Sequence, residues 1–348
     1  MSRIDAPSPS GRRSSRRVTL ADVAARVGTS TITVSRALRR PEMVSPALRA
    51  RIAEAVHELG YIPDPAAQAL ASQRTSVIGV LIPSVTNNVF SDVLSGVYSA
   101  VSGTPYKVQL GNTRYRSETE EELIRVFLSQ RPAGLVVAGV DQTPEARTLL
   151  ERAGCPVVQI MDLAQDPIDM MVGFSHHEAA QAATEHLIAQ GYRAPAFIGA
   201  RMDPRSTRRR AGFRAALDAA GLPVEGHEMV TNDASSVSLG GTLLDRLLAQ
   251  APETDAVFCN NDDLALGVQF AALRRGFRIG ESFGVCGFND FEVNAAAYPT
   301  LTSLRTFRHD MGRTAMEKIL ARLDDRDPGP RIADLGFRLM PRESTRRG

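Results

Sequence analysis

The sequence predicts an α/β protein: a small N-terminal helical unit followed by a two-lobed body of parallel sheets covered by helices. Two observations carry this. From Ser76 onward, short apolar β-rich runs alternate with amphipathic stretches, the pattern of parallel strands joined by helices. The alternation also runs twice, first through SVIGVLIP, YKVQLGNT, GLVVAGV and PVVQIMD, then through APAFIGA, AVFCNND and FGVCGFND, which predicts two lobes. Ligands of such sheets gather beyond the C-terminal ends of the strands.

Charge separates the helical unit from the body. Residues 1–76 hold twelve Arg against six Asp or Glu, an excess of +6 that leaves −4 for the rest of a chain whose net charge is +2. A basic segment on an acidic body points to a polyanionic partner. Residues 1–17 are Ser, Pro, Gly and Arg with few apolar residues, and a disordered basic arm is expected there.

Thr19 with Asp22 three residues on is an N-cap signal. Leu20, Val23, Ala24 and Val27 follow at helical spacing, and Gly28 ends the run. A second helix is expected from about Ser30 to Arg39, with Val34 and Leu38 on its buried face. A third starts with Ser45 as cap and Pro46 at its first position, continues through Leu48, Ile52, Val56 and Leu59, and closes at Gly60. Two short helices joined through Gly28 make a helix-turn-helix. Thr31, Ile32 and Arg36 then face outward on short or forked side chains suited to base edges, with Ser30, Thr33, Ser35 and Thr19 supplying hydroxyls for bases or phosphates. A plain three-helix bundle with a polar face is the alternative, and the spacing and local charge favour DNA.

Polar residues collect at the strand ends of the body. Asp162 ends PVVQIMD, Asp262 and Asp263 end AVFCNNDD, and Asn289 and Asp290 end FGVCGFND. Such groups suit sugar hydroxyls in a cleft, or they cap the helices that follow. Asn87 and Phe90 in SVTNNVF occupy the matching loop of the first lobe, where an aromatic ring suits a sugar face. The segment GARMDPRSTRRRAGF runs from a strand into a helix, the place where backbone N–H groups and the helix dipole favour an anion, and it offers Arg205, Arg208 and Arg209 near Asp203. A solvated basic helix face is the alternative, above all for Arg208 and Arg210.

Other classes find no support. There is no phosphate loop, dinucleotide fingerprint, nucleophile elbow or H-E-x-x-H motif, so no enzyme and no cofactor is expected. His176 and His177 are adjacent and cannot readily face one ion, so no metal is expected. Cys155, Cys259 and Cys286 are odd in number and flanked by apolar residues, as reduced core thiols of a cytoplasmic protein would be. No apolar run is long enough for a membrane span.

The stretch VTLADVAARVGTSTITVSRALRRPEMVSPALRARIAEAVHELGYIPDPAAQALASQRTSVIGVLIP resembles the N-terminus of LacI/GalR-family repressors, and the likeness continues to the chain's end. Its T-L-x-D-V-A, T-V-S-R-x-L, L-G-Y-I-P and I-G-V-L-I-P motifs occur in family order and spacing. RRPEMVSPALR and SVTNNVF are similar to the gluconate-operon repressors of that family. The resemblance implies a headpiece over 18–61, a hinge over 62–75 that folds on operator DNA when two copies pair, and a periplasmic-binding-protein-like core over 76–343, with a tail after it. It makes Thr31, Ile32 and Arg36 base readers and Leu70 a minor-groove wedge. It favours effector contacts from Asp162, Asp262 and Arg209, and Arg201, Asp203 and Arg205 are shared with the gluconate repressors.

The function implied is a repressor acting as a homodimer on a near-palindromic operator, controlled by a sugar or sugar acid of the gluconate kind. An activator or corepressor-type regulator answering to a neutral or phosphorylated sugar is the alternative. Two departures stand out. Asp64 and Pro65 open the hinge where a less acidic start is common, and Ser175-His176 stand where most relatives have Asp-Asn, with Ser175 as the substitute helix cap.

Overall fold

A computed structural model describes residues 18–39, 41–62 and 75–347, so the expected arm and most of the hinge, with Leu70, Asp64 and Pro65, lie outside the described residues. The chain divides into two compact units at Thr75/Ser76.

The first unit holds helices α1 (Leu20–Val27), α2 (Thr31–Arg39) and α3 (Pro46–Leu59). Thr19 and Asp22 form a reciprocal capping box: the Thr19 N–H donates to Asp22 Oδ2 at 2.8 Å, and the Asp22 N–H donates to Thr19 Oγ1. Gly28 then turns the chain at φ 70°, a left-handed conformation that costs glycine little. Val23, Val34 and Ile52, one from each helix, meet in a small core. Two expectations need correcting. Ala37, not Leu38, joins that core, and Leu38 is 37% exposed because the smaller side chain takes the inward position. Ser45 precedes α3, but its side chain makes no capping bond, and Pro46 alone supplies the start signal.

The second unit is two six-stranded sheets. The first lobe orders its strands β11-β5-β4-β3-β1-β2, all parallel; the second orders them β12-β10-β9-β8-β6-β7, parallel except for β12 against β10. In chain order the first lobe takes β1 (Val77–Ile82), α4 (Asn88–Val101), β2 (Lys107–Asn112), α5 (Ser117–Ser129), β3 (Gly134–Ala138), α6 (Pro144–Glu151), β4 (Val157–Ile160) and β5 (Met170–Gly173). The chain then crosses to α7 (His176–Ala189), β6 (Pro195–Gly199), α8 (Pro204–Ala219), β7 (Glu228–Val230), α9 (Val237–Gln250), β8 (Ala256–Cys259), α10 (Asp262–Arg274), β9 (Gly284–Asn289), the short α11 (Val293–Ala296) and β10 (Thr302–Thr306). It returns through α12 (Arg308–Leu323) and β11 (Ile332–Asp334), then crosses once more to β12 (Phe337–Met340). Three crossings therefore join the lobes.

Helices α4 and α12 pack side by side over the first sheet, and reciprocal glycines set their distance. A Cβ on Gly96 would meet His309 O at 2.0 Å, and one on Gly312 would meet Val93 O at 1.9 Å, so neither position admits a side chain without moving a backbone. Ser175 caps α7 by accepting from the Glu178 N–H at 3.2 Å, which fills the place of the acidic cap. Cys286 pairs in register with Phe258, so its neighbour Cys259 points to the opposite face of the sheet and the two buried thiols cannot meet.

Two residues of the segment expected as a tail are packed on the second sheet: Ser344 Oγ donates to Val285 O at 2.6 Å and accepts from the Thr302 N–H at 2.8 Å. Thr345 Oγ1 lies 2.8 Å from His186 Nε2. Both residues are buried: Ser344 satisfies strand backbone of β9 and β10, and Thr345 meets the side chains of His186 and Thr302.

Candidate functional site

Each unit presents one candidate surface. On the first, Thr31, Ile32 and Arg36 are exposed on α2, and Ile32 stands 68% exposed on a helix with a small core to fill. Residues 32 and 36 are four apart and share a face. Ser30 Oγ accepts from the Thr33 N–H at 3.1 Å and lies 2.9 Å from Thr33 Oγ1, so these two hydroxyls start the helix as well as bordering that face. Ser35 is half-buried. The Thr19 hydroxyl is engaged with Asp22 Oδ2 at 2.7 Å.

On the second unit a cleft lies between the lobes at the C-terminal ends of the strands. Asn87, Phe90 and Tyr115 line it from the first lobe; Arg201, Asp203, Arg205, Arg209 and Asn289 line it from the second. Asn87 is held twice, since its Oδ1 caps α4 through the Val89 N–H at 3.0 Å and its Nδ2 donates to Tyr115 Oη at 3.0 Å. The Arg201 guanidinium sits 4.2 Å above the Tyr115 ring, and that of Arg205 is 5.9 Å from the Phe90 ring. An outer chamber of about 260 Å³, lined by Glu120, Asp141 and Gln142 among others, shares Tyr115, Asp203 and Arg205 with the inner cleft.

The cleft is cationic. Its charged lining is Arg201, Arg205 and Arg209 against the single carboxylate of Asp203. Asp203 caps α8 by accepting from the Ser206 N–H at 2.8 Å and pairs with Arg205 at 3.2 Å. Burial pushes its carboxyl up, but Arg205 and the Ser206 N–H outweigh that and hold it below the ordinary range. Arg209 is buried and stacks 3.8 Å from the Phe288 ring. Its Nε–H donates to His176 Nδ1 at 3.1 Å and its Nη1 to Asn260 O, both neutral acceptors. Burial lowers this guanidinium to about 10, so it stays charged at neutral pH without having been neutralised.

Two expected contacts do not reach the cleft. Asp262 is fully buried at the first turn of α10, where Oδ1 accepts from Ser303 Oγ at 2.6 Å and Oδ2 from the Phe291 N–H at 2.9 Å. Burial raises its carboxyl to about 6 against those bonds. It braces the loop after β9, and Asn261 one residue earlier lines the cleft instead. Asp162 is also buried, turned toward Arg208 Nη1 at 2.8 Å. Arg208 therefore leaves the cleft to bridge Asp162 and Asp141, while Arg210 pairs with Glu228, so neither is a free cation on a solvated face. Tyr115, Met161, Ser235 and Asn261 line the cleft without having been singled out from the sequence. Of these, only Asn261 carried a signal, as a cap three residues before Leu264.

Among the described residues no cluster of His, Cys, Asp and Glu could hold a metal ion, and no helix is long and apolar enough to cross a membrane.

A helix-turn-helix unit joined to a two-lobed α/β body with a polar cleft defines a DNA-binding regulator with a binding-protein-like core. Comparison with known proteins agrees on both parts. Residues 19–64 match "Bacterial regulatory proteins, lacI family", and residues 75–333 match "Periplasmic binding proteins and sugar binding domain of LacI family". The chain is 43% identical over 333 residues to the HTH-type transcriptional regulator GntR of Pseudomonas aeruginosa, covering 96% of this chain and 97% of that protein. Among solved structures, a LacI-family transcriptional regulator from Silicibacter pomeroyi superposes with a TM-score of 0.88 at 35% identity, covering 95% of this chain and 100% of that one. The lac repressor dimer bound to operator and an anti-inducer superposes with a TM-score of 0.82 at 26% identity, again covering 95% and 100%. The chain belongs to the LacI family of bacterial regulatory proteins, and is a DNA-binding transcriptional regulator.

Proposed function

We propose that this regulator is a repressor that binds operator DNA as a homodimer and answers to a sugar acid of the gluconate type held in the interlobe cleft. The observation that carries the effector reading is the charge of the cleft: three guanidiniums face one carboxylate, and buried Arg209 has only neutral acceptors. The charge of Asp203 opposes only part of the cost of burying Arg209, and a ligand carboxylate forking onto it recovers more. Likeness to the gluconate-operon repressors over SVTNNVF and around Arg201, Asp203 and Arg205 supports the same class.

In this reading the acid group meets Arg205 and Arg209, with Asn87, Asn261 and Asn289 bonding hydroxyls and Phe90 and Tyr115 bounding the sugar. Asp162 and Asp262 act from behind, through Arg208 and the loop after β9. Thr31, Ile32 and Arg36 read bases, Ser30, Thr33, Ser35 and Thr19 border them, and residues 62–75 form a hinge whose Leu70 wedges the minor groove. A DNA partner implies a cytoplasmic location.

Isothermal calorimetry tests the effector reading. Gluconate is expected to bind the wild type and glucose or ribose to bind far more weakly. Arg205→Ala and Arg209→Ala are each expected to lose roughly tenfold or more of the affinity for the acid, the worth of one charge-assisted bond. Equal affinity for acid and aldose would leave only a general sugar cleft.

A further inference from the structure

Four residues of the cleft wall, Tyr115, Met161, Arg201 and Asn289, adopt left-handed backbone, and two of them share one kind of support: Met161, just beyond β4 of the first lobe, with φ 79°, and Asn289, at the end of β9 of the second, with φ 117°. Such conformations persist in non-glycine residues only where the surroundings fix them. In both cases the fixing group is the first residue of a helix that begins just after the chain crosses between lobes. His176, heading α7 of the second lobe, reaches Met161 O in the first with Nε2 at 2.8 Å. Arg308, heading α12 of the first lobe, donates from Nη1 to Asn289 O in the second. The two braces are reciprocal, and both residues are buried.

Each brace also holds a second element of the cleft. The Arg209 N–H occupies His176 Nδ1, so Nε2 carries the proton that goes to Met161. Burial, and then the charge of Arg209, hold this imidazole well below its ordinary pKa, and it stays neutral. Arg308 continues to Asp92 with bonds of 2.7 and 3.0 Å. Asp92 sits on α4, whose first turns carry Phe90 and follow Asn87.

We propose that His176 and Arg308 are a reciprocal pair of positioning residues that shape the cleft and tie its closure to ligand contact. This rests on the reading of the cleft as the effector site. A ligand that draws in Arg209 or Asn289 pulls on a group already fastened to the other lobe, so the walls close together. A core histidine and arginine that served stability alone would affect melting and leave the lobe spacing as it is.

The test uses the full chain carrying spin labels at Glu118→Cys and Asn232→Cys, one exposed site on each lobe, on a Cys155→Ser background, mixed with excess unlabelled chain so that a dimer holds one labelled pair. Distances are measured by pulsed electron resonance with and without gluconate. The wild type is expected to give one narrow distribution that shifts with gluconate. His176→Leu and Arg308→Met, which keep bulk and lose the bonds, are expected to broaden it before any ligand is added and to need roughly tenfold more gluconate for the shift. His176→Gln and Arg308→Lys, which restore a donor, are expected to recover much of the wild-type width. Wild-type distributions in both apolar variants, or equal broadening from the buried control Thr184→Ala, would overturn the proposal. Should the apolar variants not fold, Asp92→Asn removes only the outer arm of one brace, and an unchanged distribution there overturns it as well. Broadening in the variants of a wild type that binds no sugar acid would uphold the braces and remove the effector reading instead.

Discussion

Arg208 Nη1 lies 2.8 Å from the buried Oδ2 of Asp162, and the same guanidinium grips Asp141, so an arginine of the second lobe is fastened to the ends of two first-lobe strands. Burial raises the Asp162 carboxyl and Arg208 opposes that rise. Arg208→Ala therefore leaves a buried carboxylate with the Leu163 N–H as its remaining bond. The variant is expected to lose about 2 kcal/mol at pH 7. The loss shrinks as pH falls, because protonating Asp162 removes the stranded charge. Chemical denaturation at pH 7 and pH 5 checks this, and an equal loss at both would mean that the pair adds nothing beyond packing.

Glu228 is shifted in the opposite direction. Burial pushes its carboxyl up, but bonds from Arg214 and Arg210 prevail and hold it at about 2. A carboxyl depressed on folding adds stability above its unfolded pKa and loses it as pH falls toward the folded value. Glu228→Gln is expected to cost about 1 kcal/mol at pH 7. The difference from wild type should vanish as pH falls from 4.5 toward 2 in parallel melts. A constant gap across that range contradicts the assignment.

Ser175 caps α7 through the Glu178 N–H at 3.2 Å. Ser175→Ala is expected to cost about 1 kcal/mol, and Ser175→Asp to restore it. Thermal melts of both variants decide this, and an unchanged midpoint for the alanine would show that the bond to the Glu178 N–H is idle.

Arg36 is exposed on the same face of α2 as Ile32. Arg36→Ala is expected to weaken specific operator binding by about 1–3 kcal/mol while random DNA loses much less. Fluorescence anisotropy with both duplexes measures the two, and an equal loss would make Arg36 a phosphate contact.

The sequence was most legible where a local rule acts alone. Thr19 with Asp22 states its own capping box, and short continuous apolar runs between amphipathic stretches state the parallel strands. Burial is where local reading gave out. NNDD presents four polar residues in a row, and nothing local says that Asn261 faces the cleft while Asp262 turns inward to Ser303. PRESTRRG reads as the end of the core and a tail until the backbone of β9 and β10 is seen to need Ser344. Tyr115 enters the cleft only because the fold brings its loop opposite Arg201. Leu38 and Ala37 are adjacent on one helical turn, and the shape of a three-helix core decides between them.

Operator binding titrated against sugar acid tests the central claim most directly. The protein on its operator is challenged with rising gluconate and, in parallel, with glucose. Gluconate is expected to shift the operator affinity at least about tenfold, the scale of a coupling free energy near 1.4 kcal/mol, and glucose to leave it unchanged, with Arg209→Ala losing the response while still binding operator. Operator affinity indifferent to gluconate, or moved equally by glucose, would contradict the account.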